Sequence, residues 1–250
     1  MKALITGASS GIGKDIAIEL ANRGYELILV ARNKKKLEEL KKNLSVKVKI
    51  INMDLSSAFN CMKLYNKVKK EDIDILISNA GFGLCGKFDE TSLERELDMI
   101  DLNIKAYHVL TKLFLKDFKE KNKGYILNVA SSAGFLPGPL MATYYSTKAY
   151  VLRLTEAIYE ELRRDKSNVK VSALCPGPVA TNFNEVANVK FAAKPLSSEY
   201  VASYAINKMF KGKLLIVPGT SMKLMYFASR ILPKKMLLKQ TYKFQKKKIN

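Results

Sequence analysis

The chain is short of the residues that build metal sites and disulfide frameworks: it has one histidine and three cysteines in 250 residues. His108 falls in a helical stretch with no histidine, cysteine or carboxylate cluster near it, so it reads as structural and no metal is expected. Cys61, Cys85 and Cys175 are widely spaced with no CxxC pair, which argues against disulfides or zinc and suits a reducing cytoplasm. No segment holds about 18 or more consecutive apolar residues, so no membrane-spanning helix is expected. Met1 and Lys2 lead straight into Ala3-Leu4-Ile5, so no signal peptide is expected. Zinc-finger spacing, an RNP aromatic motif and a basic heptad array are all missing, so nucleic acid is not an expected partner. The formal net charge of +20 needs another account. Runs such as Lys34-Lys35-Lys36 and Lys246-Lys247-Lys248 have the pattern of solvated faces, with a phosphorylated ligand or an anionic membrane surface as the other readings.

What is present is the composition of a globular α/β domain, 48% hydrophobic and 26% charged. Short apolar runs alternate with longer periodic stretches, the signature of repeated βαβ units and a parallel sheet. Strands are expected at Lys2–Thr6, Glu26–Val30, Val46–Ile51, Ile73–Ser78, Gly124–Val129, Val169–Leu174 and Lys213–Val217. Most are β-branched or Leu-rich without alternation, as in a sheet covered on both faces. Helices are expected to start near Gly11, Asn33, Ser56, Ser92, Thr143 and Ser197, with Asn33 and Ser197 as N-caps. Right-handed crossovers then give one Rossmann-like, doubly wound sheet of about seven parallel strands over residues 1–218, with the ligand at the carboxyl ends where strand order reverses. The irregular piece Pro176–Pro195 is expected to act as a lid over its 177–195 portion.

Strand one ends in Thr6-Gly7-Ala8-Ser9-Ser10-Gly11-Ile12-Gly13, and a helix follows at once. Three glycines here allow a tight turn, close approach of backbone to a pyrophosphate, and close packing of helix on strand. The helix start presents free N–H groups and a positive dipole end to phosphate. Strand two ends Val30-Ala31-Arg32-Asn33. A carboxylate at this point would bind a ribose 2′-hydroxyl; Ala31 stands there instead, and the Arg32 guanidinium suits a 2′-phosphate, which favours NADP(H) over NAD(H). Tyr144 and Lys148, in Tyr144-Tyr145-Ser146-Thr147-Lys148, are i and i+4 on a helix, so phenol and ammonium share a face. A cation so placed is expected to draw the phenol pKa down from its reference of about 10 and ready it for proton exchange near neutral pH. Tyr145 is one residue out of that register.

The spacing TGxxxGxG with YxxxK resembles the short-chain dehydrogenase/reductase family, over about residues 1 to 218. The resemblance implies a four-residue catalytic set in chain order: Asn103, Ser131, Tyr144 and Lys148. Ser131, in Asn128-Val129-Ala130-Ser131-Ser132-Ala133-Gly134, is selected over Ser132 by the Ala-Gly two residues beyond. Its hydroxyl is expected to steady the substrate oxygen, Tyr144 to protonate it, Lys148 to assist and bind the nicotinamide ribose, and Asn103 to hold a relay water. The resemblance also implies cofactor contacts from Gly7, Ser9, Ser10, Gly11, Ile12 and Gly13 in the turn, and from Arg32. Further contacts are implied for Asp54 and Leu55, for Asn79-Ala80-Gly81, and for Pro176, Gly177, Val179 and Thr181. Asp54 reads nearly as well as a turn residue or N-cap from local sequence alone.

A departure lies at strand seven, where Leu215-Ile216-Val217-Pro218-Gly219-Thr220 lacks the family's Asp-Gly-Gly; this argues against a fatty-acid-synthesis ketoreductase. Residues 219–250 read as a basic amphipathic extension packed on the same domain. Leu224, Met225, Phe227, Ala228, Ile231 and Leu232 form an apolar face before Pro233, expected to cover the substrate pocket or a subunit interface in preference to a membrane surface. The expected substrate is a small carbonyl or alcohol, apolar in body, and the expected assembly is a homodimer or homotetramer. A catalytically silent NADP-binding regulator and a peripheral membrane-associated reductase of lipid-like carbonyls are the rival readings.

Overall fold

The computed structural model describes residues 1–183, 187 and 194–249. In chain order these form β1 (Lys2–Thr6), α1 (Gly11–Asn22), β2 (Glu26–Ala31), α2 (Lys34–Lys42), β3 (Val48–Asn52), α3 (Ala58–Val68) and β4 (Ile75–Ser78). There follow α4 (Leu93–Ile100), a π-helical turn (Asp101–Lys105), α5 (Ala106–Glu120), β5 (Tyr125–Val129), a 3-10 turn (Ser132–Phe135), α6 (Ala142–Arg164) and β6 (Lys170–Leu174). The chain closes with α7 (Ser198–Phe210), β7 (Leu215–Ile216), α8 (Thr220–Ile231) and α9 (Lys234–Ile249).

The seven strands form one sheet in the order β3-β2-β1-β4-β5-β6-β7, every pair parallel. Strand side chains alternate faces, and both faces are buried. Ala3, Ile5, Leu27, Leu29, Ile75 and Ile77 pack on α1, α2 and α7 through residues such as Ile16, Leu20, Leu37 and Val201. Leu4, Ile28, Val30, Leu76, Ile126 and Val171 face α3, α5 and α6, against Leu64, Leu110, Phe114 and Ile158. Strand order reverses between β1 and β4, which opens a crevice at their carboxyl ends.

Several sequence boundaries move. The expected third strand starts at Val48 rather than Val46, where the ladder with Leu27 begins. Residues 73 and 74 precede the fourth ladder because Asp74 is tied to Lys2, its Oδ2 accepting from the Lys2 N–H at 2.9 Å. The seventh strand shrinks to Leu215–Ile216, an edge with two paired positions against β6. The helix expected to start near Ser92 widens after Ile100 into a π turn at Asp101–Lys105. Asn33 and Ser197 cap α2 and α7, accepting from the N–H of Lys36 at 3.0 Å and of Tyr200 at 3.2 Å. Of the expected lid, Pro178 and Val179 pair with Leu196 in a short parallel bridge, and residues 184–186 and 188–193 lie outside the described residues.

Candidate active site

A cleft of about 1070 Å³ runs along the carboxyl ends of β1, β2, β4, β5 and β6. At its start, Gly7 and Gly11 adopt φ of +65° and +52°, a left-handed conformation that costs a side-chain-bearing residue. A Cβ on Gly13 would stand 2.3 Å from Asn79 Nδ2 and 2.5 Å from the Gly7 carbonyl oxygen, so α1 reaches β1 only because that position is bare. Ser10 precedes α1 in an extended conformation with no side-chain cap. The first-turn N–H groups of α1 are thus left facing the cleft without a side-chain acceptor, the arrangement that takes an anion.

Thr6 ties this turn to the segment after β4. Its Oγ1 accepts from the N–H groups of Asn79 at 2.9 Å and Ala80 at 3.1 Å, while Asn79 Nδ2 donates to the carbonyls of Thr6 and Gly7, each at 3.1 Å. The knot fixes both lips of the crevice. Across the switch point, Arg32 stands 71% exposed with Nη1 3.7 Å from Asp54 Oδ2. Burial works to raise the Asp54 pKa, but hydrogen bonds from Ser56 and the Arg32 charge outweigh it and the net shift is downward. Asp54 stays an anion there. Its Oδ1 accepts from the Ser56 N–H at 2.9 Å, the geometry of a turn residue, while the residue also lines the cleft.

On the other side, Tyr144 and Lys148 of α6 both line the cleft and are both buried. Tyr144 is walled by the rings of Phe183, with centroids 5.2 Å apart, and Tyr145, 6.2 Å apart. Burial pushes the Tyr144 phenol up to about 12, and a hydrogen bond with the Ser131 hydroxyl works the other way. Burial lowers Lys148 to about 8. The sequence reading had the ammonium acidify the phenol; in the protein alone the opposite shift prevails. The reason is geometric: Lys148 Nζ donates to the Val129 carbonyl at 2.9 Å and lies 5.2 Å from the centre of the Tyr107 ring. The amine is thus spent on a carbonyl and a ring face, and burial dominates the phenol. Tyr107, whose hydroxyl donates to the same Val129 carbonyl at 3.2 Å, went unnoticed in the sequence because nothing local marks it.

Ser131 lies just past the end of β5 and caps the 3-10 turn, with its Oγ accepting from the Ala133 N–H at 3.1 Å. Ser132 turns its N–H to the Pro176 carbonyl at 2.9 Å instead. Asn103 sits in the π turn, fully buried, and does not line the cleft. Its Oδ1 accepts from the Phe82 N–H at 3.1 Å, and its Nδ2 donates to the Phe82 carbonyl at 2.9 Å and to Thr147 Oγ1 at 3.1 Å. Thr147 in turn donates to the Tyr144 carbonyl at 2.7 Å. Asn103 thereby clamps the loop after β4 to α6 through its side-chain amide. Gly13 is the other expected contact that lies off the cleft, held behind the turn by its packing on Asn79. The remaining expected contacts all line it: Gly7, Ser9, Ser10, Gly11, Ile12, Arg32, Asp54, Leu55, Asn79, Ala80, Gly81, Pro176, Gly177, Val179 and Thr181. His108 is outside, its Nδ1 2.7 Å from the Tyr150 hydroxyl on the surface. Among the described residues no cluster of His, Cys, Asp and Glu could hold a metal.

A sequence model described as short chain dehydrogenase matches residues 1–190. The chain belongs to the short-chain dehydrogenase family. It is 35% identical over 185 residues to an uncharacterized oxidoreductase of Staphylococcus epidermidis, covering 73% of this chain and 80% of that one. It is 31% identical over 211 residues to the very-long-chain 3-oxoacyl-CoA reductase of Rattus norvegicus, covering 80% of this chain and 66% of the relative. Among solved structures, the short-chain dehydrogenase from Sphingobium yanoikuyae in complex with NADPH superposes with a TM-score of 0.83 at 29% identity, covering 91% of each chain. The protein is an oxidoreductase of this family with a Rossmann-like sheet.

The family reading leaves out one wall of the cleft. Met222, Met225 and Ala228 of α8, with Leu232, Leu237, Gln240, Thr241 and Phe244 beyond, line the end near Tyr144 and Tyr145. Gln245, fully buried, donates from its Nε2 to the Tyr145 hydroxyl and fastens α9 to α6. The sequence offered α8's periodicity as a signal but none for this latch.

Proposed function

We propose that the protein is an NADP(H)-dependent carbonyl reductase that converts a ketone or aldehyde with an apolar body to its alcohol, or the reverse. The chemistry brought by a bound dinucleotide is hydride transfer to or from the carbonyl carbon. The bare cradle at Gly7, Gly11 and Gly13 and the uncapped start of α1 fit its pyrophosphate. Arg32, free to swing at 71% exposure and with no acid at position 31, fits a 2′-phosphate; the NADPH bound by the Sphingobium relative agrees with this.

The observation that carries the reading is Tyr144, buried at the cleft wall, hydrogen-bonded to Ser131 and one helical turn from Lys148. With its pKa raised to about 12, Tyr144 is protonated across the neutral range, the state a proton donor needs. Ser131 orients the substrate oxygen beside that phenol, and Lys148, seated on Val129, supplies a positive charge to the ribose side of the site when protonated. Phe183, Met222, Met225 and Phe244 exclude water from the reacting end. The apolar character of that wall, and the very-long-chain acyl substrate named for the rat relative, favour a lipid-like carbonyl. We place the protein in the cytoplasm on its cysteine pattern, three widely spaced residues without a CxxC pair. We propose assembly as a homodimer or homotetramer through 92–121 and 143–165, where Leu93 and Leu97 stand exposed.

The test follows NADPH and NADH consumption across a panel of ketones and aldehydes, with Tyr144→Phe alongside. Turnover with NADPH should fall by roughly a hundredfold or more in the variant while NADPH binding persists. Equal turnover in Tyr144→Phe would remove the catalytic assignment, and faster turnover with NADH would remove the NADP preference.

A further inference from the structure

We propose that the outer face of the C-terminal helix pair docks on an anionic lipid bilayer. No residue of α8 is fully buried, although its inner edge lines the cleft. Leu224, Phe227 and Ile231 point the other way, 72%, 62% and 80% exposed. Their spacing of three and four residues puts them in one stripe. Three large apolar side chains in line, presented to water, are the usual mark of a docking surface.

Charge says what covers the stripe. Residues 220–250 contain nine Lys and Arg and no Asp or Glu. Lys223 and Arg230 flank the stripe, each held over a ring, Tyr204 and Tyr226 respectively, and Lys234 and Lys235 follow at the start of α9. A second copy of the chain seated by two-fold symmetry would set these cations against themselves, with no acid in the tail to compensate. A nucleic acid would answer the charge but offer no apolar phase to the stripe. Anionic headgroups over acyl chains answer both, and the cytoplasmic leaflet is the negatively charged one. No helix among the described residues is long and apolar enough to cross a membrane, so the contact lies in the interface plane.

The consequence for the cleft is direct, and this part alone rests on the carbonyl-reductase reading. Leu224, Phe227 and Ile231 lie on the outer side of the helix whose inner edge carries Met222, Met225 and Ala228. Docking brings the apolar end of the cleft to headgroup level, where a lipid-like carbonyl could enter without crossing bulk water.

The experiment is co-sedimentation of the full chain with vesicles of phosphatidylcholine alone and with a share of phosphatidylserine, at low and physiological salt. The wild type is compared with the double variant Phe227→Glu, Ile231→Glu and with Leu224→Gln, whose side chains lie off the cleft. Binding should require phosphatidylserine, weaken with salt, and drop about tenfold or more in the double variant. Circular dichroism and NADPH turnover of a water-soluble ketone should be unchanged in the variants, which separates lost docking from lost fold. Absence of phosphatidylserine-dependent binding overturns the proposal. So does equal vesicle binding by wild type and both variants, which would leave charge alone as the attraction. A dimer in gel filtration that the double variant dissolves would assign the stripe to a second copy instead. If no carbonyl is turned over by the wild type, the catalytic reading fails while the sedimentation result still decides the docking.

Discussion

Lys148 and Tyr144 share one helical face, yet burial moves their proton affinities apart, the phenol up and the ammonium down. For Lys148 the folded pKa of about 8 lies below the ordinary lysine value of 10.5. Between those two pH values the unfolded chain holds a proton that the folded chain has lost, so this group makes stability rise with pH across that window. At pH 7 it is a burden on the fold, offset in part by its bond to Val129. Lys148→Met should therefore stabilise the cofactor-free protein at pH 7 by roughly 1–3 kcal/mol and flatten the rise between about pH 8 and 10.5. Urea unfolding at a series of pH values measures both, and an unchanged slope would refute the buried cation. Activity should be lost in the same variant, since the site is then left without its charge. The sequence placed these two side chains together from their spacing of four. It could not give the direction of their shifts, because desolvation depends on Tyr107, Phe183 and Val129, none of them neighbours in the chain.

Two elements show how local sequence and tertiary demand meet. The start of α1 is written in the sequence, because three glycines after an apolar strand and before a helical period have few other uses. Packing explains which glycine does what: Gly7 and Gly11 give the backbone its left-handed turns, and Gly13 gives way to Asn79. Gly13→Ala puts a methyl carbon against backbone and amide atoms that Thr6 holds in place, so relaxation is costly. A loss of about 1–3 kcal/mol in stability is expected, with NADPH affinity falling in fluorescence titration; an unaltered affinity would mean the knot can shift. The π turn at Asp101–Lys105 is the opposite case. Helical periodicity runs through Ser92 to Lys121 without a break, and only the need to bring Asn103 to Phe82 and Thr147 widens the helix there. Such widened turns occur often at functional sites.

At the scale of the molecule, the parallel sheet closes its core by residue 218 in chain order, and the tail then returns across the crevice. Deletion of residues 220–250 removes Met222, Met225, Leu237 and Phe244 from the cleft wall. The expected result is a KM for long apolar carbonyls raised about tenfold or more, with a smaller effect on short water-soluble ketones. Unchanged kinetics and solubility after the deletion would show that the tail has no part in the site. Strand runs, helix starts, the glycine turn and the shared helical face of Tyr144 and Lys148 were legible because each is a local pattern whose period or spacing mirrors the geometry it adopts. The strand edges, the clamp at Asn103, the Tyr107 support and the Gln245 latch on Tyr145 were decided only by tertiary structure. These depend on which distant residues share a buried volume, and burial sets both hydrogen-bond partners and charge states, a property of three-dimensional packing that no linear spacing encodes.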